Sequence, residues 1–294
     1  MKKVTALLML LCITLSTQAQ LLWKISGKNL AQPSYILGTH HLAPISILDS
    51  IAGFKQAQEE TQQVYGEVVM SEMMKPENLQ KVQRSQILPP DTTLASLLTE
   101  AEYDSVAVAV KNLIGADLKM FNQVKPAALS AQIGVIMAMR CVDGFNPQQQ
   151  LDGWIQQQAI QQGKAVCGLE TLEFQMNVLY GMQSLERQAD LLYCNVTNLD
   201  YLEMQTREMT EAYMAQNLDG LADALEMKLN NSCDSKPEEV DALIYDRNID
   251  WATRMPAIMK AAPTLFVVGG GHLPGEQGVL HLLQAQGYTV EAVK

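Results

Sequence analysis

Two kinds of hydrophobic periodicity divide this chain: short apolar runs at both ends and long helical repeats between them. Leu21 to Ile25 and Ser34 to Leu37 are β-favouring runs separated by Gly27-Lys28-Asn29 and Gln32-Pro33, the pattern of a hairpin. Leu48 to Ala57 then reads as a helix, and Gln63 to Val69 as a buried strand carrying one carboxylate, Glu67. Strand, helix, strand is a βαβ unit, which predicts parallel pairing. A shorter strand at Ala165 to Cys167 runs into Gly168-Leu169-Glu170-Thr171, where Thr171 can cap the next helix. Near the C-terminus, Thr264 to Val268 precedes Gly269-Gly270-Gly271-His272, a helix from about Gly275 to Gln286, and a last strand at Tyr288 to Val293, a second βαβ unit.

The middle of the chain is helical. Leu94, Leu97, Leu98, Ala101, Val106, Val110 and Leu113 recur at helical spacing, and Ala127 to Met139, opened by Pro126, is apolar on most faces and predicts a buried helix. Leu218, Leu221, Leu225 and Leu229 stripe another, and Ser235-Lys236-Pro237-Glu238 fits a capping box that opens a helix running through Trp251. Met70, Met73 and Met74 read as core filling rather than as an adaptable binding surface. The expected fold is therefore α/β: a central mixed, partly parallel sheet built from the N- and C-terminal βαβ units, with a large helical middle region. No Gly/Ser-rich, Pro-rich or single-charge run marks a linker, so residues 20–294 read as a single domain.

Residues 1–19 stand apart. Lys2 and Lys3 precede an apolar run from Val4 to Leu15 and then Ser16-Thr17-Gln18-Ala19, the layout of a secretory signal peptide cleaved after Ala19. The run is too short for a stable membrane anchor, and the residues before Cys12 are not the small ones that precede a lipid-modified cysteine. The expected location is periplasmic or secreted. Export changes how the cysteines read, because disulfides persist outside the cytosol. Cys194 in a helix and Cys233 in the polar loop Asn230 to Asp234 are the favoured pair, while Cys141 and Cys167 read equally well as buried free thiols. With 21 basic against 32 acidic residues and no basic cluster, a nucleic-acid partner is not expected, and a peptide or small-molecule substrate is.

Four histidines exist, and two share a context: Gly38-Thr39-His40-His41 and Gly269-Gly270-Gly271-His272 each directly follow an apolar strand. In open α/β sheets, ligands bind beyond the carboxyl ends of parallel strands, where glycines let the backbone turn sharply. If the two strands are neighbours, His41 and His272 converge and Glu67 completes a two-histidine, one-carboxylate set for a divalent metal with open positions. Mn, Co, Zn and Fe suit those ligands equally. His40 is an alternative to His41, since adjacent residues of an extended segment point to opposite sides. His281 lies in the terminal helix as a solvated residue. A strand-end histidine that merely satisfies a backbone carbonyl, and a Glu67 exposed at a strand end, are the structural readings of the same residues. Glu170 can be a partner behind the ligands, a general base or a helix-start charge. Arg247 and Asn248 interrupt a helix patterned by Val240, Leu243, Ile244 and Trp251; an inward Arg247 polarises a carbonyl or clamps a carboxylate, and an outward one makes a surface ion pair. The chain has no G-x-S-x-G elbow, no H-E-x-x-H helix and no phosphate-binding loop, and its glycine run fails the dinucleotide fingerprint.

Taken in order, Leu22-Trp23-Lys24-Ile25, Tyr35 to Leu42, Glu67, Gly168 to Thr171, Arg247-Asn248 and Val267 to Gly275 resemble the TraB/GumN family over nearly the whole mature chain. That resemblance implies a relationship to the Tiki metalloproteases, whose paired G-x-x-H motifs and intervening glutamate map here onto His41, His272 and Glu67. It also implies likeness in fold to erythromycin-esterase-type hydrolases, which use catalytic His and Glu groups without an obligatory metal. Many relatives carry an apolar residue at the position of His40. Plasmid-encoded members shut down peptide-pheromone signalling, which sequestration explains as well as cleavage. The activity so implied is an exported metal-dependent hydrolase, most readily a peptidase, with Glu67, Glu170, Arg247 and Asn248 as catalytic candidates. The other readings are a non-catalytic peptide or small-ligand binder and a metal-independent esterase-type hydrolase.

Overall fold

A computed structural model describes residues 20–294, so the expected signal peptide lies outside the described residues. The expected hairpin is present: β1 (Leu22–Ser26) pairs antiparallel with β2 (Ser34–Thr39), through a turn in which Gly27, Lys28 and Asn29 all take positive φ. β3 (Gln63–Gly66), β4 (Ala165–Gly168), β5 (Thr264–Gly269) and β6 (Thr289–Ala292) complete a six-stranded sheet in the order β4-β3-β5-β2-β1-β6. The fold is α/β with a mixed sheet, as the pattern predicted.

The pairing differs from two local βαβ units. β2 and β3 do not touch; each pairs in parallel with β5, which enters between them from the other end of the chain. β6 likewise is separated from β5 by two strands, β2 and β1, and pairs antiparallel with β1. Sequence periodicity reports which residues form a strand, but the partner is chosen by burial. β5 is the most apolar strand, and with β2 it supplies the sheet's buried centre, every residue of β2 being buried. β4, β3, β5 and β2 consequently run parallel side by side, and their carboxyl ends at Gly168, Gly66, Gly269 and Thr39 share one edge.

Two further boundaries moved. The helix expected at Leu48 to Ala57 is a 3-10 turn (Ile45–Asp49) followed by a helix at Phe54–Glu60, because Gly53 sits between them at φ 70°. β3 stops at Gly66, so Glu67 is not inside the strand but is the first residue beyond it. The Met70–Met73 helix that follows buries none of its residues and Met74 is exposed, so the methionines do not fill the core.

Helices cover the sheet and build a second apolar cluster away from it. The Leu94–Leu97, Glu100–Ile114, Pro126–Cys141 and Leu185–Thr197 helices pack there around Leu94, Val106, Val110, Leu129, Ile133 and Leu192. The Leu218–Leu225 helix ends before Leu229, one turn short of the predicted stripe. Cys194 and Cys233 form the expected disulfide, and Cys141 and Cys167 are free. Beside the disulfide, Arg187 forks onto Glu239 and donates to the Ser232 and Asp234 carbonyls. The helical stretch that begins there runs as Pro237–Val240, a π-helical turn at Asp241–Tyr245, and Asp246–Ala261. Lys236, not Ser235, is its N-cap, with the Lys236 N–H donating to the Glu239 carboxylate.

A candidate active site at the carboxyl ends of the parallel strands

The four parallel strands deliver the candidate residues in order along one edge. β4 leads to Glu170, β3 to Glu67, β5 to His272, and β2 to His40 and His41. The register that pairs Thr39 with Gly269 sets the two Gly-x-x-His segments side by side. Their glycines serve close approach rather than a left-handed turn, for neither Gly38 nor Gly269 has positive φ. A Cβ on Gly38 would stand 2.9 Å from Leu273 Cδ1 and 3.0 Å from Gly270 Cα, so the two motifs pack backbone against backbone.

His272 is buried. Its Nδ1 lies 2.7 Å from Asn248 Oδ1, and its Nε2 lies 3.2 Å from Arg247 Nη1 and 3.8 Å from Glu67 Oε1. A guanidinium only donates, so Nε2 accepts and the ring proton sits on Nδ1, donated to Asn248. Asn248 in turn donates Nδ2–H to the Gln277 carbonyl, which fixes the orientation of its amide. Burial, reinforced by the charges of Arg247 and His41 and opposed by Glu67, pushes the His272 pKa down to about 4, and the imidazole is neutral.

Glu67 accepts from the Gly269 N–H at 2.8 Å on one oxygen, and from Arg247 Nη2 at 2.7 Å and Gln175 Nε2 at 3.0 Å on the other. Burial works against its ionisation but is outweighed by His272, Arg247, His41 and the Gly269 N–H, which hold its carboxyl at about 2. Since His272 is neutral, the contacting guanidinium is the charge that sustains this shift. Arg247 spends all five N–H donors: two on Glu170 (2.7 and 3.0 Å), and one each on Glu67, the Leu243 carbonyl and His272. Its plane lies over the buried Trp251, whose indole N–H also donates to Glu170 and whose ring flanks His272 at 4.5 Å.

Arg247 and Asn248 therefore point inward, and Glu170 is sealed beneath them with 2% of its side chain exposed. In this arrangement Glu170 reaches no solvent and Arg247 has no donor left for a substrate. Both act on Glu67, which lies between them and the outside.

His41 differs in being open: 58% of its side chain is exposed. Its Nδ1 is 3.2 Å from Oδ2 of Asp152, a buried carboxylate in the first turn of the Leu151–Gln161 helix. The Asp152 charge, working against burial and aided by Glu67, raises the His41 pKa to about 9. His40 points the other way, as the alternation predicts. Its Nε2 meets Thr210 Oγ1 at 3.1 Å beside the Tyr213 ring. Thr210 already donates to the Thr206 carbonyl, so His40 Nε2–H is the donor and is not free to bind a ligand. His281 is exposed in the terminal helix.

Sequence reasoning missed Asp152, Gln156, Gln175 and Trp251. Asp152 alone had a signal, a charge inside the apolar helix start Leu151-Asp152-Gly153-Trp154-Ile155. Among the described residues no three His, Cys, Asp or Glu side chains lie close enough, as they stand, to hold a metal ion together.

The carboxyl edge of the parallel strands thus carries one buried and one open histidine from the paired Gly-x-x-His turns and a guanidinium-paired glutamate, a site of α/β type. The chain belongs to the TraB/PrgY/gumN family, whose model matches residues 21–292. It is similar to "Metalloprotease TIKI2" of Danio rerio, at 23% identity over 319 residues covering 92% of this chain and 60% of the relative. The chain thus spans about 60% of that relative's length. No solved structure matches it significantly.

Proposed function

We propose that this protein is an exported metal-dependent hydrolase acting on peptides, in which His41, Glu67 and His272 hold a divalent ion (Mn, Co, Zn or Fe). The observation that carries this reading is the parallel pairing of β2 with β5, which sets the two Gly-x-x-His turns side by side, with His272 Nε2 3.8 Å from Glu67 Oε1. The donor chemistry fits such an ion. Two imidazoles and a carboxylate are the set used where positions stay open for water and substrate, and each ring is held through Nδ1 with Nε2 turned away from its anchor. The carboxylates of Glu67, Glu170 and Asp152 outnumber the one guanidinium, so the cluster retains negative charge for a cation. The exposed His41 is the member with solvent room to move toward the other two.

A bound ion supplies Lewis acidity, polarising a scissile carbonyl and making water a better nucleophile near neutral pH. The protein's own groups prepare the ligands. Asn248 fixes the His272 tautomer whose Nε2 carries the lone pair, and the Gly269 N–H, Gln175 and Arg247 keep Glu67 ionised and in place. Glu170 and Trp251 hold Arg247. Substrate approaches from the His41 side, where the site meets solvent. The disulfide between Cys194 and Cys233 supports an oxidising, extracytoplasmic location.

The test is cleavage of a mixed peptide library by untagged protein, after chelation and after add-back of each ion. Activity restored by an ion and lost in His41→Ala and His272→Ala is expected. No cleavage with any ion, in protein that elemental analysis shows to be metal-free, would sink the reading. One observation favours a second reading: Arg247 Nη1 already occupies His272 Nε2. A metal-independent hydrolase of the esterase type predicts cleavage that survives chelator and is lost in His41→Ala.

A further inference from the structure

The Leu151–Gln161 helix contributes no residue to the proposed metal set, yet one of its faces touches both segments that do. Asp152 and Gln156 are one turn apart and project from the same side. Asp152 is buried with its two oxygens divided between neighbours: Oδ1 accepts from Thr39 Oγ1 at 3.0 Å, and Oδ2 has only His41 Nδ1, at 3.2 Å. A buried carboxylate oxygen without a hydrogen-bond partner is costly, and the group beside it that offsets the cost is the His41 ring, through its charge. Gln156, also buried, donates Nε2–H to the Val68 carbonyl at 2.9 Å and accepts the Met70 N–H at 2.8 Å, clasping the segment that follows Glu67. The fit is close enough that a Cβ on Gly66 would meet Gln156 Nε2 at 2.3 Å.

We infer that Asp152 and Gln156 are positioning residues of the site, Asp152 fixing the His41 ring through Nδ1 so that Nε2 faces Glu67 and His272, and Gln156 fixing the height of Glu67. Neither touches the reacting centre. A helix-start acid that merely complements the helix dipole would be solvated, whereas Asp152 is buried and aimed at an imidazole. The arrangement is that of a carboxylate behind a ligating histidine, whose loss typically costs 10–100-fold in ion affinity. The inference rests on the metal-dependent reading for its consequence but not for its geometry, and the two are measured separately.

Long-range 1H–15N correlations of the histidine rings, recorded on ion-free protein, read the geometry; calorimetric titration with Mn2+ and with Zn2+ reads the consequence. In the wild type, slowly exchanging Nδ1–H signals are expected for His41 and His272. Asp152→Ala, which leaves no acceptor, removes the His41 signal and leaves that of His272, which Asn248 holds, as an internal control of folding. The same variant binds the ion roughly 10–100-fold more weakly, and Gln156→Ala weakens binding while both ring signals persist. A His41 signal absent from the wild type, or unchanged in Asp152→Ala, overturns the inference whether or not the ion binds. An unchanged affinity in both variants overturns it as well. If the His41 signal depends on Asp152 and the wild type binds neither these ions nor Co2+ and Fe2+, the metal-dependent reading fails and Asp152 stands as the group that holds His41.

Discussion

Arg247 shows how much of this site is internal electrostatics. One guanidinium pairs with two buried carboxylates, and the donors it does not spend on them go to the Leu243 carbonyl and His272. Arg247→Met leaves Glu67 and Glu170 unpaired, and breaking a buried ion pair from one side costs about 3–5 kcal/mol. Arg247→Lys keeps the charge but loses the fork, so it should recover only part of that loss. Urea unfolding of the two variants checks the order; a methionine variant as stable as the wild type would contradict the account. Part of this chemistry was legible in the residues themselves. His41 and His272 announced themselves by repeating one motif, Glu67 by being charged among valines, and Arg247 and Asn248 by interrupting an apolar helix face. Gln175 and Trp251 were not legible, because a glutamine and a tryptophan on a helix look the same whether they face solvent, core or carboxylate.

At the scale of elements, the glycines of the two Gly-x-x-His turns are there for contact, not for conformation. The sequence suggested sharp, glycine-only turning, but the φ angles of Gly38 and Gly269 are ordinary, and what excludes a side chain at Gly38 is the backbone of Gly270 and the side chain of Leu273. Gly38→Ala must push the two motifs apart and should cost about 1–3 kcal/mol, as overpacking does, with a fall in Tm. Because the shift separates His41 from His272, ion affinity should fall with it; an alanine variant unchanged in both would show that the contact has slack. The π-helical turn at Asp241–Tyr245 is a second such device. It precedes Arg247 in the same helix, where the Leu243 carbonyl accepts from the Arg247 side chain. π-turns inserted in α-helices recur at functional sites, and no periodicity in the sequence distinguishes this one.

Across the whole molecule, the helix bearing Arg247 and Asn248 is anchored at its beginning by covalent and ionic means together. The disulfide spans a separation of 39 residues, for which the chain-entropy model gives about 4 kcal/mol. Reduction should lower the stability to urea by about 2–4 kcal/mol. A Cys194→Ser/Cys233→Ser variant that matches the oxidised wild type would show that the bridge contributes nothing. Next to it, burial raises the Glu239 pKa, but Arg187 and the Lys236 N–H outweigh burial and bring it below the ordinary carboxylate value. A carboxylate depressed in the folded state stabilises above its unfolded pKa and loses that contribution as pH falls through the folded one. The stability gap between wild type and Glu239→Gln should therefore be full at neutral pH and close on acidification below the usual carboxylate range. Architecture was half legible at this scale. The strands were located within a few residues and the α/β class was right, but that β2 and β5 are neighbours was a condition the matched motifs raised, not one they settled. Nor was the placement of β5 between β2 and β3 legible, since strand pairing across two hundred intervening residues leaves no local trace.

That placement bears on how the polypeptide reaches its native state. β2 and β3 share no hydrogen bonds, and the strand that bridges them is synthesised after both, about two hundred residues beyond β3. A nascent chain that has not yet produced Thr264 has two half-sheets with no seam between them, and a topology so rich in distant pairings folds slowly. The polypeptide should thus remain threadable until that strand is made.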